Sequence, residues 1–148
     1  HPDTLGSRNN LASAYRSAGD LGRTLPLYEQ TLTDRERVLG PAHPDTLGSR
    51  NNLARAYRSA GDLGRTLPLY EQPLTDRERV LGPDHPNTLT SRNNLAHAYW
   101  QQERREEALS EFTTAAEAAE ALFGQSHEVT RALIGNRDEA RRRLSQPD

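Results

Sequence analysis

Residues 9–15 read NNLASAY, residues 51–57 read NNLARAY and residues 93–99 read NNLAHAY, so one heptapeptide returns at a constant spacing of 42. Outward from it, residues 1–42 and 43–84 match at 39 of 42 positions and differ only at Ser13/Arg55, Thr31/Pro73 and Ala42/Asp84. A third copy, residues 85–126, keeps the skeleton with many substitutions, and a fourth begins at His127 and runs to residue 148. A fixed period of this size means a stacked array, because one unit of two short helices cannot bury its own apolar face. The expected organisation is therefore unit 1 over 1–42, unit 2 over 43–84, unit 3 over 85–126 and a C-terminal capping helix over 127–148.

Each unit reads as two antiparallel helices. Pro2, Pro44 and Pro86 suit the first helical position, where a missing N–H is no loss, and Asp3 and Asp45 just inside favour the helix dipole. Leu5, Leu11, Ala12 and Tyr15 form an apolar stripe at helical spacing, and Gly19 is a natural stop. Asp20 then caps a second helix whose expected buried face is Leu21, Thr24, Leu25, Tyr28, Leu32 and Leu39. Gly40-Pro41 ends it. Pro26 and Pro68 lie inside this second helix with Gly22 and Gly64 at the opposed carbonyls, which predicts a mild kink. Pro73 has no such relief, so unit 2 is expected to be the weakest. In the last helix Val129, Leu133, Ala140 and Leu144 form a narrow apolar seam, with Arg131, Arg137, Arg141, Arg142 and Arg143 on the wet side.

Leu, Ile, Val and Phe number 26 of 148 residues, few for a globular chain. The net charge is only -2, however, and the apolar residues recur at fixed positions, which argues for a lean helical array over disorder. All 19 basic residues are Arg, which we read as codon bias from a GC-rich, bacterial genome. The absence of Cys removes disulfides and thiolate metal sites. No apolar run approaches the roughly 18 residues needed to span a bilayer, and no signal-peptide pattern appears, so the expected location is the cytoplasm. The lack of Met and the start on a repeat boundary lead us to expect a segment of a longer protein.

Chemistry is sparse. His1, His43, His85 and His127 recur at unit boundaries, but successive units are displaced by on the order of 10 Å, whereas metal–nitrogen bonds are about 2 Å. These histidines read as helix-start residues. There is no phosphate-cradling glycine loop, no HExxH and no nucleophile with a plausible base. Residues 103–107 read as a charged helix start. The expectation is a protein that is not an enzyme, with no cofactor and no metal. The slightly acidic balance and the lack of aromatics among the Arg run of the tail argue against nucleic acid as a partner.

Leu11-Ala12, Tyr15, Gly19, Tyr28 and Leu32 sit at tetratricopeptide-repeat spacing. The longer unit, NNLAxAY followed by LPLYEQ and RERVLGP, resembles the forty-two-residue variant found in kinesin light chains and in many bacterial proteins, often behind a nucleotide-switch ATPase domain. The resemblance covers the whole chain. It departs from the pattern at Arg8, Arg50 and Arg92, where an aromatic or Leu is usual, and in unit 3, which has Leu109-Ser110-Glu111-Phe112. The resemblance implies an all-α, right-handed superhelical solenoid of antiparallel helix pairs, with the first helices lining a concave groove that holds peptides. By that pattern the groove-facing ridges are Asn9, Ser13 and Arg16, then Asn51, Arg55 and Arg58, then Asn93, His97 and Trp100. Their three-to-four-residue spacing puts each set on one helix face.

Asn amides can pair with a peptide backbone without reading its side chains, and Arg residues favour carboxylates through bidentate bonds. Trp100 offers an apolar anchor. The expected partner is a protein or peptide presenting a short acidic or carboxylate-bearing segment, bound by the interaction or sensing arm of a larger bacterial protein. Bland alternatives stand beside these. Asn9, Asn51 and Asn93 can bridge neighbouring helices, as is expected of Asn10, Asn52 and Asn94. Trp100 can pack under the last helix. Arg8, Arg50 and Arg92 are expected to lay their stems over the core with heads paired to second-helix acids. A different function class, self-association by stacking through the uncapped N-terminal unit, remains open, as does regulation in cis of a neighbouring domain.

Overall fold

A computed structural model describes residues 2–146, with the backbone alone at Pro2; the reading of His1 as a helix-start residue lies outside them. Seven helices follow in order: α1 (Pro2–Ser17), α2 (Leu21–Leu39), α3 (Pro44–Ser59), α4 (Leu63–Leu81), α5 (Pro86–Gln101), α6 (Arg105–Phe123) and α7 (Glu128–Leu144). No strand occurs among the described residues. The chain divides into two compact units, residues 1–73 and 74–148, the division falling inside α4 immediately after Pro73. α2 and α4 each run unbroken through their prolines. At the position of Pro73, Thr31 instead returns its hydroxyl to the Leu27 carbonyl at 2.7 Å.

The helix starts have a cause not foreseen from sequence. His43, His85 and His127 are N-caps with extended backbone, and each imidazole Nδ1 accepts the backbone N–H two residues on, at 3.1, 3.1 and 3.2 Å. A side-chain acceptor here satisfies one of the N–H groups that every helix start leaves orphaned. Asp20 performs the same service for α2 by accepting from the Arg23 N–H at 3.1 Å.

The turns inside the pairs close by a repeated bond: Asp20 N–H to Tyr15 O, Asp62 N–H to Tyr57 O and Arg104 N–H to Tyr99 O, at 2.9, 2.9 and 3.0 Å. The turn forces a left-handed residue, supplied by Gly19 (φ 78°) and Gly61 (φ 75°), but by Glu103 (φ 61°) in the third copy. A side chain with a Cβ is strained in that region. The same turn shows a reversal of charge. Arg23 pairs with Asp20 and Arg65 with Asp62, each at 3.4 Å, whereas at the equivalent places Arg104 pairs with Glu107. In all three a guanidinium lies over the neighbouring tyrosine: Arg23 on Tyr15, Arg65 on Tyr57 and Arg104 on Tyr99. The cation is kept over the ring while its carrier moves from the second helix to its cap. The cost is the cap itself, since Arg104 makes no side-chain capping bond.

In the first unit the core gathers Ala12, Tyr28, Leu32, Leu53, Ala56 and Tyr57 from α1, α2 and α3. In the second, Leu89, Ala115, Ala116, Ala119 and Leu133 form one cluster and Ala96, Ala108, Phe112 and Ala140 another. Alanines at the contact points let helices approach closely, which is how a chain poor in large side chains still packs. The expected faces need amendment. On α2 the buried residues are Thr24, Tyr28, Thr31 and Leu32, with Leu21, Leu25 and Leu39 only half-buried. On α7, Leu133 and Ala140 are buried together with Thr130, while the seam's ends, Val129 and Leu144, are exposed.

Arg8, Arg50 and Arg92 take the structural role expected of them. Arg8 reaches Asp34 at 2.5 Å, Arg50 reaches Glu36 at 2.8 Å, and Arg92 pairs with both Glu78 and Glu111. The position equivalent to Asp34 in the third copy is Ala118, and Glu111 lies seven residues before it. Two turns along a helix is the same face, so the acid has slid along α6 without leaving its partner.

Candidate functional site

The expected ridge residues fall into separate sets within the two units. In the first, Asn9, Ser13, Arg16, Asn51 and Arg58 are half-buried and Arg55 is exposed. Neighbouring first helices are tied by an amide bond, Asn52 Nδ2 donating to Asn9 Oδ1 at 3.2 Å. Asn9 thus has one acceptor position committed to the scaffold. Ser13 Oγ lies 2.7 Å from the hydroxyl of the fully buried Tyr28. At the equivalent place Arg55 replaces Ser13, and Tyr70 replaces Tyr28. Burial raises the Tyr70 phenol above its ordinary pKa, opposed by the nearby positive charges of Arg58 and Arg55.

The cations of this ridge differ from the rest of the unit. Arg8, Arg23, Arg37, Arg50 and Arg65 all form ion pairs, and Arg35 is held by Ser49 and a backbone carbonyl. Among the described residues Arg16, Arg55 and Arg58 pair with no carboxylate. Arg16 even has its Nε buried without a protein acceptor.

In the second unit Asn93, His97 and Trp100 meet the last helix. Asn136 Nδ2 donates to Asn93 Oδ1 at 3.0 Å, repeating the amide tie. His97 meets Phe112 edge-on, ring centroids 4.9 Å apart, so the pairing of this ridge position with the buried second-helix aromatic persists while its chemistry changes. Trp100 is half-buried, packed against the Ala96–Phe112–Ala140 cluster, with Arg105 5.7 Å from its ring centre. A hollow of about 170 Å³ opens between α5, α6 and α7, lined by His97, Trp100, Phe112, Asn136, Glu139 and Arg143 among others. Trp100 therefore neighbours the last helix and borders an open site as well.

Sequence reasoning missed Asn136, Glu139 and Arg143. The repeat itself carried the signal, since Glu139 stands 42 residues after His97, in the series Ser13, Arg55, His97, Glu139. Glu139 pairs with Arg142 and Arg143, whose hydrogen bonds and charges hold its carboxyl below the ordinary glutamate range against partial desolvation. The second unit's ridge thus combines an apolar wall with charges of both signs. Among the described residues no group of His, Asp and Glu is arranged to hold a metal ion.

The model of the tetratricopeptide repeat matches residues 4–45, 46–87 and 88–129 in succession, at the same 42-residue step. The chain belongs to the tetratricopeptide-repeat family. Such repeats mediate protein–protein interaction in general. Among solved structures it is similar to a kinesin-light-chain-like protein of Podosopora anserina built from nearly identical TPR-like repeats. Identity there is 27%, covering 99% of this chain and 69% of that one, with a TM-score of 0.81. It is similar in fold to BtubC from P. vanneervenii, at 23% identity over 98% of this chain and 59% of that one, TM-score 0.77. The Sgt2 TPR domain of Aspergillus fumigatus is a more distant likeness in fold, at 20% identity, 98% and 86% coverage and a TM-score of 0.58. No curated protein matches the sequence. No described helix is long and apolar enough to cross a membrane.

Proposed function

We propose that this tetratricopeptide-repeat chain is a non-enzymatic scaffold whose first-helix ridges hold a short acidic or carboxylate-bearing segment of a partner protein. It would act as the interaction or sensing arm of a larger bacterial, cytoplasmic protein. The observation that carries the reading is the set of ridge cations Arg16, Arg55 and Arg58, which pair with no carboxylate in a unit where the other arginines are engaged. A guanidinium offers a fixed fork of donors matched to a carboxylate, and the charge-assisted bond is about twice as strong as a neutral one. Asn51 lies on the same ridge and can serve a peptide backbone. In the second unit, the hollow beside Trp100 would take one apolar side chain.

The test is a pair of fluorescent peptide pools, one rich in Asp and Glu and the other with Asn and Gln at the same positions. The acidic pool should bind at least about tenfold more tightly, with the preference fading as salt rises. Arg55→Ala combined with Arg58→Ala should remove the preference while leaving the helical circular dichroism intact. Equal binding of the two pools would defeat the reading.

A further inference from the structure

The first two copies differ at one ridge position, Ser13/Arg55, and that change leaves a buried hydroxyl without its partner. In the first copy the hydroxyls of Ser13 and Tyr28 lie 2.7 Å apart and satisfy one another, since each can both give and accept a hydrogen bond. In the third copy His97 meets the ring of Phe112, which has no hydroxyl to satisfy. The middle copy has neither arrangement. Arg55 stands where Ser13 stood, while Tyr70 keeps the phenol of Tyr28. A guanidinium only donates, so Arg55 cannot take the phenol proton as a serine hydroxyl can.

Three donor groups are thereby left together inside the first compact unit. Tyr70 is 5% exposed, and among the described residues its hydroxyl has no hydrogen-bond partner. The repeat sets that hydroxyl beside position 55, and the charges of Arg58 and Arg55 act on it while no carboxylate does. Burial holds the phenol above its ordinary pKa, so at neutral pH it remains an O–H donor. Arg55 is exposed and Arg58 half-buried, which leaves the cluster open to a ligand. It belongs to the middle copy, with helices before and after it in the chain.

What the cluster lacks is an acceptor with several oxygens and more than one negative charge. A single guanidinium can saturate a carboxylate through its bidentate bonds. A phosphate monoester carries about −1.5 to −2 charges at pH 7 and three acceptor oxygens, enough for two guanidinia and a phenol. We propose that Arg55, Arg58 and the Tyr70 hydroxyl form a site for a phosphate monoester, carried as phosphoserine or phosphothreonine on the partner segment. The proposal rests on the reading of this ridge as an acid-binding surface and names the acid.

The probes are short fluorescent peptide pools with phosphoserine, Glu or Ser fixed at the centre and uncharged residues elsewhere, titrated into the intact chain. The phosphoserine pool should bind at least about tenfold more tightly than the Glu pool. Arg55→Ser, which restores the hydroxyl pair of the first copy, should abolish that advantage. Tyr70→Phe keeps both cations and should weaken phosphoserine binding about fivefold while leaving Glu binding unchanged. Each substitution brings in a residue type that another copy carries at that place, and circular dichroism checks that the helices persist. Equal binding of the phosphoserine and Glu pools overturns the proposal; the acid-binding reading survives that result if both exceed the Ser pool and falls with it if neither does. Phosphoserine binding indifferent to Tyr70→Phe also overturns it, by showing attraction to the arginines alone. Inorganic phosphate that displaces the phosphoserine pool as well as unlabelled phosphoserine peptide does would assign the cluster to the free anion, and the partner segment would lose its role.

Discussion

The α2–α3 contact of the first unit and the α6–α7 contact of the second join a second helix to the next first helix by opposite means. Between α2 and α3 the link is polar, the Arg35 guanidinium reaching Ser49 and the Asp45 carbonyl, and α4–α5 repeats it with Arg77 on Ser91 and the Asn87 carbonyl. Between α6 and α7 the equivalent residues are Ala119 and Leu133, and both are buried in one apolar cluster. The Thr130 hydroxyl there finds the Ala119 carbonyl at 3.1 Å, whereas Thr46 Oγ1 is buried without a protein partner. The polar link has a visible cost: burial pushes the Arg77 guanidinium below its ordinary pKa, and the Nε atoms of Arg35 and Arg77 are buried unpaired. A repeat contact can thus be satisfied by a directional tether that fixes register or by plain close packing, which is less specific and has no desolvated charge.

The apolar contact should suffer most from truncation. Leu133→Ala removes a buried side chain and leaves a void, costing about 2–5 kcal/mol; urea denaturation should show it, and hydrogen exchange should place the loss in α5–α7. Arg35→Ala should cost less, about 1–3 kcal/mol, as Ser49 and neighbouring atoms lose their partner in a buried place. The comparison sharpens if the second contact is copied into the first: Arg35→Ala with Ser49→Leu should recover most of that loss, since replacing both partners by apolar groups that fit can be nearly neutral. A double variant no more stable than Arg35→Ala alone would mean that the tether holds geometry which packing cannot supply.

Smaller effects separate the turns. Glu103→Gly relieves a left-handed residue and should stabilise the second unit by about 1 kcal/mol; the same test at Gly61, Gly61→Ala, should have the opposite sign. The smallest change is with pH. Asp34, held down by its bonds with Arg8, and Glu107 and Glu139, held down by Arg104 and by Arg143 with Arg142, have carboxyls below their ordinary range. Groups depressed in the fold contribute stability above the unfolded carboxylate pKa, about 4, and lose it as pH falls through their folded values. The stability these three carboxylates contribute should therefore be lost as pH falls below about 4, read as a drop in melting temperature over that range. All three pairs are solvent-screened, so added salt should shrink this fall.

Much of the fold was legible because the repeat fixes positions that local chemistry confirms. Pro44 and Pro86 begin helices, Asp20 caps one, and Arg8, Arg50 and Arg92 find second-helix acids. What was hidden depends on neighbours. Leu11 reads like Leu53, and only a helix packed beside it decides which is wet. Thr31, Thr46 and Thr130 are fully buried because close helices leave room for a small side chain there, which their polarity conceals. The histidines were legible as helix-start residues, but their capping bond was not: only the structure shows the Nδ1 atoms of His43, His85 and His127 accepting helix-start N–H groups. Of the candidate site, the ridge positions were legible from the period. Asn136, Glu139 and Arg143 were passed over because α7 was read as a cap, although its ridge position follows the same step.

The reversed ion pair at the helix turn bears on how such a gene can change. Copies one and two are interchangeable there, so unequal crossing-over between them loses or adds a whole unit without electrostatic penalty. A crossover into the third copy that falls between the cap and its partner would set Asp beside Glu or Arg beside Arg three residues apart, and like charges at that spacing repel. A mixed junction at this turn would therefore carry a small electrostatic penalty that a junction between the first two copies avoids.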